Sequence, residues 1–168
     1  MEALGRLFDI SCGVAPVSLD AAASTGCRVS LRNCGGVTIV AYFGAAASGT
    51  EAIQFDVQQH TAASGGTTAD LDVIDHFYTK YEATLDGDET WTRVAQTAAS
   101  EVDVAGADRD KQGILVISVD AAMLSDGYTH ISLNVTDPGS VARLGAVLYI
   151  LHDLRVQRAP QNLVNPQV

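Results

Sequence analysis

The side chains able to do chemistry in this chain are few and scattered. Four histidines, His60, His76, His130 and His152, lie far apart along the sequence. Nucleophilic catalysis needs a hydroxyl or thiol with a base in reach and a third group that orients the base. The nearest approach is Asp75 beside His76 in "VIDHFY", and neighbours on a regular strand point to opposite faces. That placement predicts that the two do not bond. No GxSxG elbow is present, and the serines fall in loops or at outward strand positions. Cys12, Cys27 and Cys34 show neither CxxC nor a paired His spacing. They read as buried thiols of a chain made in a reducing cytosol, with a Cys27–Cys34 disulfide left open.

Metal and phosphate chemistry have equally thin support. "ADLDVID" puts Asp70 and Asp72 on one face of an extended segment, and "LDGDE" gathers Asp86, Asp88 and Glu89 in a turn. Carboxylates so placed would suit Ca²⁺, but neither group has the EF-hand spacing, and a solvated acidic loop is the default reading. There is no GxxxxGK[ST], and no GxGxxG follows a strand. No cofactor is therefore expected, and the chain reads as a binding protein and not an enzyme. Aromatics make up only 6%. Trp91, in "ETWTRV", is expected to cover the edge of the core, with weak glycan binding on an exposed indole as the alternative. Tyr78 and Tyr81 should lie on opposite strand faces.

The elements that must hold these residues are strands. In "IQFDVQQH", Ile53, Phe55 and Val57 alternate with polar residues; "THISLNV" repeats the pattern with Ile131, Leu133 and Val135, and "EVDV" with Val102 and Val104. Period-2 alternation marks a strand with one buried and one wet face. "VTIVAYF", "GILVISV" and "GAVLYILHDL" are apolar on both faces and read as central strands. "CRVSL", "VIDHFYTKYEA" and "TWTRVAQ" bring the total to about eight or nine, separated by turns such as "DGDE" and "DPGS". Only "DAAMLSDG" suggests a helical turn. Near it, Leu124, Asp126, Gly127 and Tyr128 fit either a tyrosine corner or an ordinary turn. The predicted class is all-β: an antiparallel β-sandwich of jelly-roll or Greek-key type, with extended N- and C-terminal arms. Residues 1–16 form an N-terminal arm or first strand, 17–154 the sandwich, and 155–168 an extended tail.

The 168 residues are 47% hydrophobic and 18% charged, a globular composition for one domain. The formal charge is −10. Acid spread over a surface disfavours nucleic acid and anionic membranes, which are bound through cationic patches. No apolar run is long enough for a membrane helix, and the start lacks the pattern of a signal peptide. The tail breaks the charge pattern. Residues 152–168 set Asp153 against Arg155 and Arg158, leaving +1, so the other residues carry −11. Pro160 and Pro166 keep this segment extended. A cationic extended tail on an acidic body reads as a docking strap. Its anchors would be Leu154, Arg155, Val156, Arg158 and Pro160, joined at the other terminus by Leu4, Leu7 and Phe8.

The succession "VSLDAAASTGCRVSLRNCGGVTIV", "FDVQQHTAASGGTTADLDVI", "EATLDGDETWTRVAQTAASE", "LSDGYTHISLNV" and "GAVLYILHDLRVQRAP" resembles minor capsid, or decoration (cement), proteins of tailed bacteriophages that infect actinobacteria. The likeness runs from about Val17 to Pro160. It implies a β-rich virion protein, made in the host bacterial cytoplasm, that binds the outside of the icosahedral head and stabilises the shell. The implied partners are the major capsid protein and further copies of itself, with a trimer favoured. A tail or head–tail completion protein, or a carbohydrate-binding module on the virion, is the alternative. The resemblance brings no active-site residues.

Overall fold

The computed structural model describes residues 2–19, 23–46, 53–104, 108, 110–135 and 142–168. Eleven strands are found among them: β1 (Phe8–Ser18), β2 (Val29–Ser30), β3 (Gly36–Phe43), β4 (Ile53–His60), β5 (Thr68–Asp70), β6 (Ile74–Glu82), β7 (Thr92–Ala99), β8 (Glu101–Val104), β9 (Gln112–Asp120), β10 (His130–Val135) and β11 (Leu144–His152). They form a six-stranded sheet, β1-β11-β3-β9-β6-β7, and a five-stranded one in which β2-β10-β4-β5 is joined by β8 on β4. Every ladder is antiparallel. The fold is all-β, as the alternation predicts, and the helical turn shrinks to one 3₁₀ turn at Ala121–Met123.

The alternating residues fill a single core shared by both sheets. Val37, Ile39, Ala41 and Phe43 face inward from β3, beside Leu115, Ile117 and Val119 of β9 and Val147, Tyr149 and Leu151 of β11. Opposite them stand Ile53, Phe55 and Val57, Ile131, Leu133 and Val135, and Val102 and Val104. Each such side chain contributes about 1.5–3 kcal/mol on leaving water. Phe43 and Phe55 meet across the two sheets with ring centroids 5.8 Å apart. Room for Phe43 comes from its cross-strand partner Gly113, where a Cβ would come within 2.6 Å of both the Phe43 and Tyr81 rings.

One inter-sheet link was not anticipated. The buried Tyr149 hydroxyl accepts the Leu133 N–H at 2.8 Å, so a side chain of β11 satisfies the backbone of β10 where β2 has ended. Burial pushes the Tyr149 phenol far up, keeping the hydroxyl neutral. Of the two readings at Tyr128, the ordinary turn is the one found. There the turn closes through the Tyr128 N–H to Ser125 O at 3.0 Å, with Gly127 at φ +85°.

Of the two readings of the N-terminus, arm or first strand, the strand is found, and the expected C-terminal arm folds back. Residues 8–18 are a strand at the edge of the six-stranded sheet, bulged on either side of Val14. The tail, though extended around a 3₁₀ turn at Pro160–Asn162, lies on its own subunit. Its Arg155 N–H reaches Asn33 O (2.9 Å) and its Arg158 N–H reaches Gly5 O (2.9 Å), while Pro166 O accepts the Ser30 N–H (2.7 Å). The Gln167 amide donates to Ser11 Oγ (3.0 Å) and to Cys12 O (2.8 Å). The tail thus ties β1, the edge of one sheet, to β2, the edge of the other. Covering exposed edges is a standard need of antiparallel sheets, and here the end of the chain meets it.

Candidate functional site

The expected anchors divide between two adjoining depressions along that strapped side. Leu154, Val156 and Arg158 line a cavity of about 240 Å³ together with Cys34, Leu151 and Leu163. Leu4, Arg158 and Pro160 line a more open hollow with Arg6 and Gln157. Leu7, Phe8 and Arg155 line neither. What joins the two termini is a close backbone approach at Gly5. Its φ of +81° is costly for any residue with a side chain, and a Cβ there would collide with Arg158 O. The result is one surface on which Leu4 and Val156 are exposed on either side of Arg158. In the cavity wall, burial pushes the Cys34 thiol up to about 11, so it stays protonated and unreactive at neutral pH.

Cys34 is the one cysteine that matches the expectation of buried thiols. Cys12 and Cys27 are exposed, and all three are free. Cys27 is held by its N–H to Gly13 O (2.8 Å), on the β1 side and not against Cys34.

The histidines are less isolated than their spacing suggested. His76 Nδ1 and Asp75 Oδ1 are 2.6 Å apart, contrary to the expectation that strand neighbours cannot bond. The reason is a register shift between Ile74 and His76, which breaks the strict alternation of faces. The bond to His76 holds the Asp75 carboxyl below its usual range. His152 and Asp153 form a similar pair at 2.8 Å, with Asp153 at φ +54°. Among the described residues, no hydroxyl or thiol hydrogen-bonds to either ring.

His60 does meet hydroxyls. Its Nε2 lies 2.8 Å from Ser132 Oγ and its Nδ1 2.9 Å from Thr68 Oγ1. His60 and Ser132 are 3% and 1% exposed. Burial, with Arg28 nearby, lowers the imidazole to about 4, which makes it a poor base. This network spans β10, β4 and β5 and holds the sheet together. Sequence reasoning missed it because both residues are outward by alternation. The 61–67 loop carries Ala62 O and Gly65 O, which accept from Arg28 Nη1 at 3.1 and 2.6 Å and bring that side chain over the same region.

The acidic turn does bring its carboxylates together: one oxygen from each of Asp86, Asp88 and Glu89 lies within 4.8 Å of the others. Glu89 Oε1 already accepts the N–H groups of Asp86 (2.6 Å) and Gly87 (3.1 Å), which lowers its carboxyl. Asp70 is elsewhere, its Oδ1 accepting from Gln58 Nε2 at 3.5 Å.

Trp91 also departs from expectation. It is 52% exposed, with Lys80 Nζ 4.9 Å from its ring centroid, so it stands outside the core and not over its edge. Tyr78 faces out and Tyr81 in, as expected, the latter packing on Phe43 at 6.1 Å. Asn134, in the "NVT" run, is engaged on both sides, donating to Gln58 Oε1 (2.8 Å) and accepting the Gly26 N–H (3.2 Å). Burial of Arg143, 2% exposed with its guanidinium 5.5 Å from the Phe43 ring, had no signal in the local sequence. No described helix is long and apolar enough to cross a membrane. Comparison with family models, curated proteins and solved structures gave no match at all.

Proposed function

We propose that this protein is a virion decoration protein of a tailed bacteriophage, binding the outside of the icosahedral head and stabilising the shell. The reading starts from the sequence resemblance, and one structural observation supports it: the two termini are tied into a single exposed surface. Leu4 and Val156 offer apolar contact there, and Arg158 supplies a cation on an otherwise acidic body. A ligand that binds only the assembled, expanded shell stabilises that state by mass action. Docking is then by a preformed surface and not by a flexible strap, so little ordering entropy is lost. The major capsid protein is the partner, and further copies of the chain multiply weak contacts into avidity. The chain crosses repeatedly between the sheets, which suits a jelly-roll or Greek-key sandwich.

Cosedimentation with purified phage heads tests this. The double variant Val156→Asp/Arg158→Glu should keep its fold, because both side chains are exposed, and lose at least about tenfold in head affinity, the effect of ~1.4 kcal/mol. Full decoration by the double variant would sink the docking account. A second reading rests on Trp91, whose exposed indole is what a sugar-stacking platform needs. It requires weak glycan binding that Trp91→Ala abolishes.

A further inference from the structure

The outer face of the six-stranded sheet is apolar and uncovered among the described residues. Cross-strand register lays out its rows. One runs Cys12–Leu148–Val40–Val116–Tyr78–Arg93, the next Ala146–Tyr42–Ile114–Lys80, and a third Ile10–Ile150–Thr38–Ser118. Tyr42 is 54%, Ile10 48% and Leu148 46% exposed. The only charges in these rows are the basic Lys80 and Arg93; the acidic Glu82 and Asp120 stand at the ends of their strands. Monomers seldom expose a continuous apolar patch of more than a few hundred Å².

We propose that this face is where two copies of the chain meet, sheet against sheet, around a two-fold axis lying between them. The proposal rests on the self-association in the reading above and names its surface. Two observations select a second copy as the occupant. The first is area. Six strands at ~4.8 Å spacing and about seven residues at ~3.3 Å give a face of roughly 650 Å². That approaches the ~800 Å² per partner of a stable interface. The second is charge. Any self-contact must bring together two bodies of −10 each. On the outer face of the five-stranded sheet it would oppose Asp56, Asp70, Glu101 and Asp103 from each copy; on this face no carboxylate lies in the central rows. Sheets stacked face to face sit ~10 Å apart with side chains interdigitated, and a two-fold axis brings the same patch of both copies together. Such a stack closes at two copies, unlike the three implied by the resemblance.

Sedimentation equilibrium of the full chain at about 10–100 µM, a range that brackets micromolar affinity, tests this. Twice the 17.6 kDa chain mass is expected. Leu148→Lys and Tyr42→Arg, both at exposed sites, should each give the single-chain mass with unchanged far-UV circular dichroism, while Gln54→Lys on the opposite face stays paired. Should either variant misfold, alkylation of wild-type Cys12 read by mass spectrometry replaces it: pairing should slow labelling about tenfold as concentration rises. Wild type of single or triple mass, or variants that remain paired, would overturn the proposal. The two readings fail separately: a pair that ignores phage heads sinks the decoration role, and a single chain that decorates them sinks the pairing.

Discussion

The outer faces of the two sheets are built from opposite chemistry. On the five-stranded sheet, outward residues form a cross-strand polar lattice: His130–His60–Thr68, Ser132–Gln58–Asp70, Asn134–Asp56–Glu101 and Gln54–Asp103. Many of these side chains bond to one another, as in Gln54 to Asp103 at 2.9 Å and Asn134 to Gln58 at 2.8 Å. On the six-stranded sheet the equivalent positions are mostly Val, Ile, Leu and Tyr, and among the described residues no side-chain hydrogen bonds join its rows. One face satisfies much of its polarity with its own hydrogen bonds; the other needs a neighbour to leave water. The same strand period serves both, so the difference lies in what each outward position carries.

The contrast can be probed by perturbations of decreasing size. Removing the ring that joins the sheets, with Phe43→Ala, should cost about 3–5 kcal/mol and loosen both faces together. A chemical-denaturation midpoint lowered in that proportion would show that the faces share one core; a small loss would separate them.

Acid should act chiefly on the polar face. His60 titrates near 4 in the native protein and near 6.5 when unfolded, so the unfolded chain takes up the proton first. Stability is therefore complete above about pH 6.5 and falls as pH drops toward 4, by something on the order of 2 kcal/mol. His130, lowered for the same reason of burial, adds to this loss. Asp56 is raised by burial and opposes it at the acidic end, since the native state keeps that proton longer. Urea titrations at pH 7 and 4.5 should show the loss, and His60→Gln should remove most of it. An unchanged slope in that variant would place the acid sensitivity elsewhere.

Tyr149→Phe leaves the buried Leu133 N–H without its acceptor and should cost about 1–3 kcal/mol. Calorimetry would detect that as a lowered Tm, and faster exchange of the Leu133 amide would locate it. At the tail, Gly5→Ala forces a Cβ into Arg158 O at a positive φ. It should cost about 1–2 kcal/mol and raise proteolysis after Arg155 and Arg158. The smallest effect belongs to the apolar face. Leu148→Ala, measured at concentrations too low for pairing, should change stability by less than about 1 kcal/mol, because the side chain is already half in water. A large loss in the single chain would mean that this face is packed and not open.

Much of the architecture was legible in the residue pattern. The expected strands are all present, and the inward residues of β4, β8 and β10 are those that alternation marks. Two strands lack a clear alternating pattern. In β1, "FDISCGVAPVS" carries Gly, Ala and Pro where an alternating pattern should continue, so the sequence fits arm or strand equally, and bulges absorb the mismatch. β5 is only three residues long, below what any period can mark. The site was less legible. The basic and apolar residues near the ends were found, but not the fold-back that merges them.

What the chain settled by itself is the class: alternation of period two, glycine-rich turns and the absence of a helical period leave little but antiparallel sheets, because these are local properties of the backbone. Only the tertiary structure decided that His76 reaches Asp75, that Tyr149 caps β10, that His60 is buried and that the tail binds β1 and β2. Each of these depends on which edges, bulges and loops meet across tens of residues. Local sequence carries no record of such meetings.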